Sequence, residues 1–270
     1  MFCMHIKTKT DIAAILEGGA ILGEILEYLG TLVKPGVTGL DIDTEAEARI
    51  RAAGGIPAFK GYGEGGNGPF PGTICFSIND EVVHGIPTAK KVIKAGDVVK
   101  VDIGMEYGSR SGKDKGRGYF TDTAITVIAG KADQPTKQLL VDTYDSLMLG
   151  IAAAKSGNTI LDISTAIEGY LKPKKYGIVR DLVGHGVGYE VHEDPRVPNY
   201  IDKTLGSWKL EPGLVIAIEP MVTMGDWRVR LAKDGWGIVT KDGSMSAQFE
   251  HTVVITKDGP VIATKRPSEK

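Results

Sequence analysis

Cysteine is nearly missing from this chain: only Cys3 and Cys75 occur in 270 residues, too few for a disulfide framework and in keeping with a reducing compartment. No apolar run is long enough for a membrane span, and the N-terminus MFCMHIKTKT has no signal-like apolar core. A cytoplasmic location is expected. Charge of one sign is lacking too. The formal net charge is −2, so no overall pull toward nucleic acid or an anionic membrane is implied. What the chain does have is a hydrophobic fraction of 42%, enough for a sizeable core, and 36 glycines clustered between apolar runs. Apart from the last residues, RPSEK, no segment reads as a tail, and His5 is assigned no role in a terminus expected to be mobile.

The most informative stretch is VVKVDIGMEYGSRSGKDKGRGYFTDTAITV, Val98–Val127. It reads as two β-branched strands joined by a glycine-rich basic loop. Each strand carries one carboxylate in apolar surroundings, Asp102 and Asp122, and such a charge is costly unless compensated. Alone, the pair could be two ordinary hairpin acids. A divalent cation is the sharper reading.

Elsewhere the apolar spacing predicts a helix after Thr10-Asp11 that ends at Gly30, and a second from near Asp41 or Thr44 to Gly54-Gly55. The glycine-rich segment Gly61–Gly72 is expected to run over the surface. A strand-like Thr73–Ile78, a turn at Asn79-Asp80 and Val82-Val83-His84 follow. Pro135 marks a third helix and Ile160–Leu171 a fourth, with two or three strands expected after it. The pattern repeats. KPGVTGLDID (34–43) matches KSGNTILDIS (155–164), and AGDVVKVD (95–102) matches PGLVIAIE (212–219). Two halves of similar topology, about 8–130 and 135–258, are expected to share one core within a single domain, 1–270. The repeat sets Asp102 against Glu219 near a pseudo-two-fold axis.

Three more residues in apolar or glycine-rich contexts join these acids: His185 in GHGVG, Glu219 in VIAIEPM and Glu250 in QFEHTVVIT. Four carboxylates packed together repel, whereas two divalent ions neutralise them, so a dinuclear site is expected. Oxygen-rich ligation with one imidazole suits Mn, Fe(II), Co or Zn and not a structural thiolate site. His84 and His192 are candidates for proton transfer or oxyanion stabilisation. His251 adjoins Glu250, and strand alternation points it to the opposite face, in a structural role.

Taken together, SINDEVVHGIP, VKVDIG, FTDTAITV, GHGVGYEVHEDP, LEPGLVIAIEP and KDGWGIVTKDGSMSAQFEHTVVIT resemble the type I methionine aminopeptidases of the pita-bread metallopeptidase fold. The resemblance implies an α+β fold with duplicated halves and a central antiparallel sheet flanked by helices. It implies metal ligation by Asp102, Asp122, His185, Glu219 and Glu250, and catalytic roles for His84, His192 and Glu219. The implied reaction is hydrolytic removal of the initiator methionine from new polypeptides by a metal-bridging hydroxide. A methionine pocket is implied at Tyr62, Phe70, Cys75 and Trp236. The chain departs from the family's pattern by two longer segments, near Gly63–Gly68 and at Ser109–Arg117. The latter carries Arg110, Lys113, Lys115 and Arg117. A solvated hairpin tip is the plain reading of it, and a contact with ribosomal RNA the sharper one. A monomer is expected. A proline-specific aminopeptidase or prolidase shares fold and ligands but usually carries an extra N-terminal domain. A metal-free peptide-binding module would be expected to lack ligands, and all five are present.

Overall fold

The computed structural model describes residues 5–63, 68–110 and 115–269. Cys3, Lys113, Asp114 and the centre of the glycine-rich insert lie outside the described residues.

The first half opens with α1 (Lys9–Thr31) and α2 (Gly39–Ala52). Both start earlier than the apolar spacing suggests, for one reason. Asp11 and Asp41 are not caps but the third helical residues of capping boxes. Their carboxylates accept from the N–H of Thr8 and Thr38, whose hydroxyls accept from the N–H of Asp11 and Asp41. Strands β1 (Ile56–Pro57), β2 (Ile74–Ile78), β3 (Glu81–Val83), β4 (Val98–Tyr107) and β5 (Tyr119–Ile128) follow.

The second half repeats the plan with α3 (Gln134–Ala153), which has Pro135 in its first turn, and α4 (Ile160–Leu171), which opens on a Thr159–Asp162 capping box. Then come β6 (Gly177–Ile178), β7 (Gly184–Gly186), β8 (Glu193–Val197), β9 (Val215–Ile218), β10 (Met221–Thr223), β11 (Val229–Leu231), β12 (Ile238–Thr240), β13 (Ser246–Gln248), β14 (Glu250–Thr256) and β15 (Gly259–Ile262). The two or three strands expected here understate the half. Most of these strands are too short to show a period of two, and only distant pairing makes them strands.

Antiparallel pairing orders the main sheet β1-β4-β5-β14-β9-β7-β8, with β2 on β4 and β15 on β14. The contact of β5 with β14 joins the two halves. The repeat in sequence is a repeat in hydrogen bonding. Gly96 and Gly213 turn the chain into β4 and β9 at φ 93° and 96°, a region that favours glycine. Their N–H groups donate to Ala129 and Ile255, each at 2.8 Å, at the far ends of the neighbouring strands. Asp102 and Glu219, each six residues further on, therefore occupy matching places in the two halves.

Alternation along β4 sends Val99, Val101 and Ile103 into a core with Leu22, Leu26 and Ile42 of the helices. In the second half Leu147, Ile163 and Ile167 cover Ile216, Ile218 and Val253. Each such side chain contributes roughly 1.5–3 kcal/mol by burial. The helices thus claim one face of the curved sheet and leave the other for the acids.

Three surface expectations are corrected. Residues 266–269 of the terminal RPSEK segment are docked: Arg266 is buried and bonded to Glu269, which also meets His251. His251 faces this cluster, away from the acids, as alternation requires. His5 packs edge-on to Tyr189, and the Lys7 N–H donates to Gly213 at 2.8 Å, so the start of the described chain is pinned. In the basic extension, Arg110 is buried rather than solvated, and Arg117 pairs with Glu190 at 2.7 Å. Among the described residues no helix is long and apolar enough to cross a membrane.

Candidate metal centre and cleft

Register brings the acids together. Asp102 on β4 lies opposite Cys75 on β2 and Ala124 on β5, and Ala124 lies opposite Glu250 on β14. These residues form one row across four strands. Asp122 lies opposite Gly104, two residues from Ala124 on β5, and so projects from the same face diagonally from Asp102. Thr252 ties Asp122 in place from the next strand: its hydroxyl donates to the Asp122 carbonyl at 2.8 Å and accepts from the Asp122 N–H at 2.9 Å. Glu219 follows the last residue of β9, Ile218, which lies opposite His251.

His185 sits on β7 between two glycines that the packing demands. A Cβ on Gly184 would lie 2.3 Å from the Ala217 carbonyl, and one on Gly186 2.3 Å from that of Asp194. The His185 Nδ1 lies 2.9 Å from the Gly186 carbonyl, so it carries the ring proton and donates. Nε2 is left bare, 3.8 Å from both Asp122 Oδ2 and Glu219 Oε1. Ligand atoms of Asp122, His185 and Glu250 all lie within 4.8 Å of one another.

The donor set fits divalent cations. Asp102 Oδ1, Asp122 Oδ1 and Glu250 Oε1 are buried without a hydrogen-bond partner, although buried acceptors are nearly always partnered. Burial pushes the Asp102 carboxyl up to about 7. Burial, and then the neighbouring acids, hold Asp122, Glu219 and Glu250 well above the usual carboxylate range. The protein alone therefore favours protons on these acids, and a cation that displaces them gains a ready cage. Burial, with His192 next, lowers His185 to about 3, so its imidazole is neutral and able to ligate.

The cleft beside the acids is lined by all eleven residues singled out from the sequence. His84 follows β3 with φ 57°, an uncommon conformation for a residue with a side chain. Burial and then His192 lower it to about 4. The His192 ring lies tilted against the His185 ring, with centroids 4.3 Å apart. Its Nδ1 lies 2.6 Å from the Tyr62 hydroxyl. The phenol is the better donor, so His192 Nδ1 accepts and Nε2 keeps the proton. Phe70 and Trp236 meet edge to face at 5.2 Å, and Cys75 closes the floor as a free, buried thiol.

Two residues escaped the sequence reading. Phe59 lines the apolar wall, and only its place just after a strand-like Ile-Pro could have marked it. Gln248 donates from Nε2 to Glu219 Oε2 at 3.2 Å while its Oε1 stays buried and unpartnered. An amide in a strand carries no signal of that task.

Residues 13–257 match the family described as Metallopeptidase family M24. The chain is 43% identical over 259 residues to a methionine aminopeptidase of Clostridium acetobutylicum, covering 96% of this chain and 98% of that one. It is 41% identical to methionine aminopeptidase 1 of Bacillus subtilis at the same coverage. The crystal structure of methionine aminopeptidase from Thermotoga maritima superposes with a TM-score of 0.90 at 39% identity, covering 98% of this chain and 100% of that one. The prolidase from Pyrococcus furiosus gives a TM-score of 0.75 at 22% identity, with only 66% of its chain covered, and so shares the fold alone.

Proposed function

The chain belongs to metallopeptidase family M24, among the methionine aminopeptidases, and from that premise we propose that it removes the initiator methionine from new polypeptides by metal-dependent hydrolysis. One observation supports this reading above the others: a cage of orphaned carboxylate oxygens opens directly onto an apolar pocket of a size to take one side chain.

Asp102, Asp122, His185, Glu219 and Glu250 would hold two divalent cations, chosen from Mn, Fe(II), Co and Zn. When bound, such cations supply an acidified water and polarise the scissile carbonyl. The chain's own groups do the rest. Phe59, Phe70, Trp236 and Cys75 hold the methionine side chain and exclude water from it. His192 presents its Nε2–H to the carbonyl oxygen, where charge develops. His84 contacts the amide nitrogen and assists departure of the amine. Glu219, steadied at Oε2 by Gln248, takes the proton of the attacking water and passes it on.

The reading includes a single catalytic domain that works as a monomer in the cytoplasm. The scarcity of cysteine supports the compartment. A contact of the basic segment 109–117 with ribosomal RNA remains part of the reading for Lys115 and Arg117, which are exposed, and not for Arg110, which is turned inward.

The test is hydrolysis of Met-Ala-Ser against Ala-Pro peptides after loading with defined metals. Cleavage of Met-Ala-Ser alone is expected. Cleavage of only the proline peptide would turn the assignment to a prolidase-like enzyme, and no metal-dependent cleavage of either would leave a binding module.

A further inference from the structure

The extension between Asp102 and Asp122 has no part in the proposed reaction, yet its root is built into the molecule. Arg110 is 7% exposed. Its Nε donates to the Gly118 carbonyl at 2.6 Å, and its Nη2 donates to the carbonyl of Tyr189. The guanidinium lies 5.0 Å from the ring centre of Tyr189 and 5.6 Å from that of Tyr119. The Arg110 N–H donates to the Arg117 carbonyl at 2.7 Å and closes the root. From the same region Arg117 reaches Glu190, and the Phe120 N–H donates to the Gly188 carbonyl at 2.8 Å. Three successive residues, Gly188 to Glu190, are thus gripped from one side.

The grip continues beyond them. Glu193 Oε2 pairs with the buried Lys7 ammonium at 2.5 Å. Its Oε1 accepts from the N–H groups of Tyr189 and Glu190. The Tyr189 hydroxyl donates to Asp11 at 2.6 Å. His192 lies inside this turn, with Tyr62 and the His185 ring against its own side chain. The turn therefore governs where the imidazole sits.

We propose that Arg110 is a positioning residue for His192. Its planar fork, fixed by two carbonyl acceptors and two aromatic rings, locks the 188–193 turn so that the imidazole stays aimed into the cleft. The root of the extension is then a brace for the active site. This rests on the role assigned to His192 in the proposed reaction.

The experiment compares Arg110→Ala and Arg110→Lys, each alone and combined with His192→Ala, with Lys115→Ala as a surface control. Hydrolysis of Met-Ala-Ser by the metal-loaded enzyme is measured together with amide hydrogen exchange across 186–193. Arg110→Ala is expected to lower kcat about tenfold with KM changed less than about twofold, because a misplaced group costs rate rather than binding. That loss should shrink to under about twofold in the His192→Ala background, as for two residues acting in one unit. Exchange should quicken at 189–192 and stay unchanged in β4 and β5. Arg110→Lys keeps the charge but not the fork, and should fall between. An equal loss in both backgrounds, an Arg110→Ala kcat near that of wild type, or unchanged exchange at 189–192 overturns the proposal. His192→Ala without effect on kcat, or a wild-type enzyme inactive on this peptide, overturns the functional reading instead. Hydrogen exchange then still reports whether Arg110 holds the turn.

Discussion

The Tyr62 hydroxyl and the His192 Nδ1 lie 2.6 Å apart, and through that contact a residue of the pocket sets the proton on a residue of the reaction. The phenol holds Nδ1 as an acceptor and so keeps the proton on Nε2, the nitrogen free to reach a carbonyl oxygen. Tyr62→Phe is expected to lower kcat about fivefold, the equivalent of one hydrogen bond of about 1 kcal/mol, with little change in KM. Steady-state kinetics on Met-Ala-Ser decide it; a rise in KM at constant kcat would make Tyr62 a pocket wall and nothing more.

Asp122 rather than Asp114 is expected to be the second aspartate of the cage. Asp122 is buried with Oδ1 unpartnered in the β-branched run FTDTAITV, whereas Asp114, a rival for lying only twelve residues after Asp102, belongs by sequence to the glycine-rich loop. Asp122→Asn should weaken metal uptake by at least about 100-fold, the upper range for residues that only support a ligand. Asp114→Asn should leave uptake unchanged. Isothermal titration with Mn or Co checks both, and equal losses would show that the wrong aspartate is assigned.

Phe59 closes the pocket wall beside Phe70 and Trp236. Phe59→Ala should raise KM for Met-Ala-Ser by about tenfold and admit bulkier first residues, since pocket contacts of this size are worth about 1–3 kcal/mol. A substrate series with leucine and phenylalanine at the first position would reveal it. Unchanged selectivity would remove Phe59 from the pocket.

Asp11 links acid stability to the brace around Tyr189. Burial alone would raise its carboxyl, but hydrogen bonds from Tyr119, Tyr189 and Thr8 outweigh that and hold it at about 2. The ordinary value is about 4, so the folded state favours the ionised form. Its contribution is complete above about 4 and is lost as the pH falls toward 2. Asp11→Asn should therefore destabilise the protein at neutral pH, with the gap to wild type closing between about pH 4 and 2. Urea midpoints across that range test it, and a gap independent of pH would refute the linkage.

The docked C-terminus should matter to stability. Arg266 is 3% exposed and pairs with Glu269, which also meets His251. Arg266→Ala would leave a largely buried carboxylate without its cation, at a cost of about 3 kcal/mol. Thermal and urea unfolding measure this, and a loss within about 0.5 kcal/mol, ordinary for a surface residue, would mean the tail frays in solution.

Much of the site was legible in the chain itself, for a local reason. A carboxylate in a β-branched run, or a histidine between glycines, violates the rules of its own neighbourhood. Asp102, Asp122, His185, Glu219 and Glu250 each do so within a few residues. The duplicated KPG/KSG and AGDVVKVD/PGLVIAIE segments even predict which acids occupy matching places in the two halves, because a turn and a strand of equal length carry equal residues to equal places. The helices start a few residues before the apolar spacing predicts, because an aspartate in a capping box and an aspartate cap look alike until the threonine's hydrogen bond is seen.

Long-range register decided what the sequence could not. The row from Cys75 through Asp102 and Ala124 to Glu250 joins four strands drawn from both halves, and no local pattern encodes which residue lies opposite which. The same holds for the short strands of the second half, for Gln248 behind Glu219, and for the contact of Tyr62 with His192 across 130 residues of chain. Arg110 is the sharpest case. Its composition and neighbours describe a solvated basic loop. Only the approach of Tyr119 and Tyr189, with carbonyls at Nε and Nη2, turns that charge inward. Burial of a cation is a property of what surrounds it, and those surroundings are assembled only when the chain has folded.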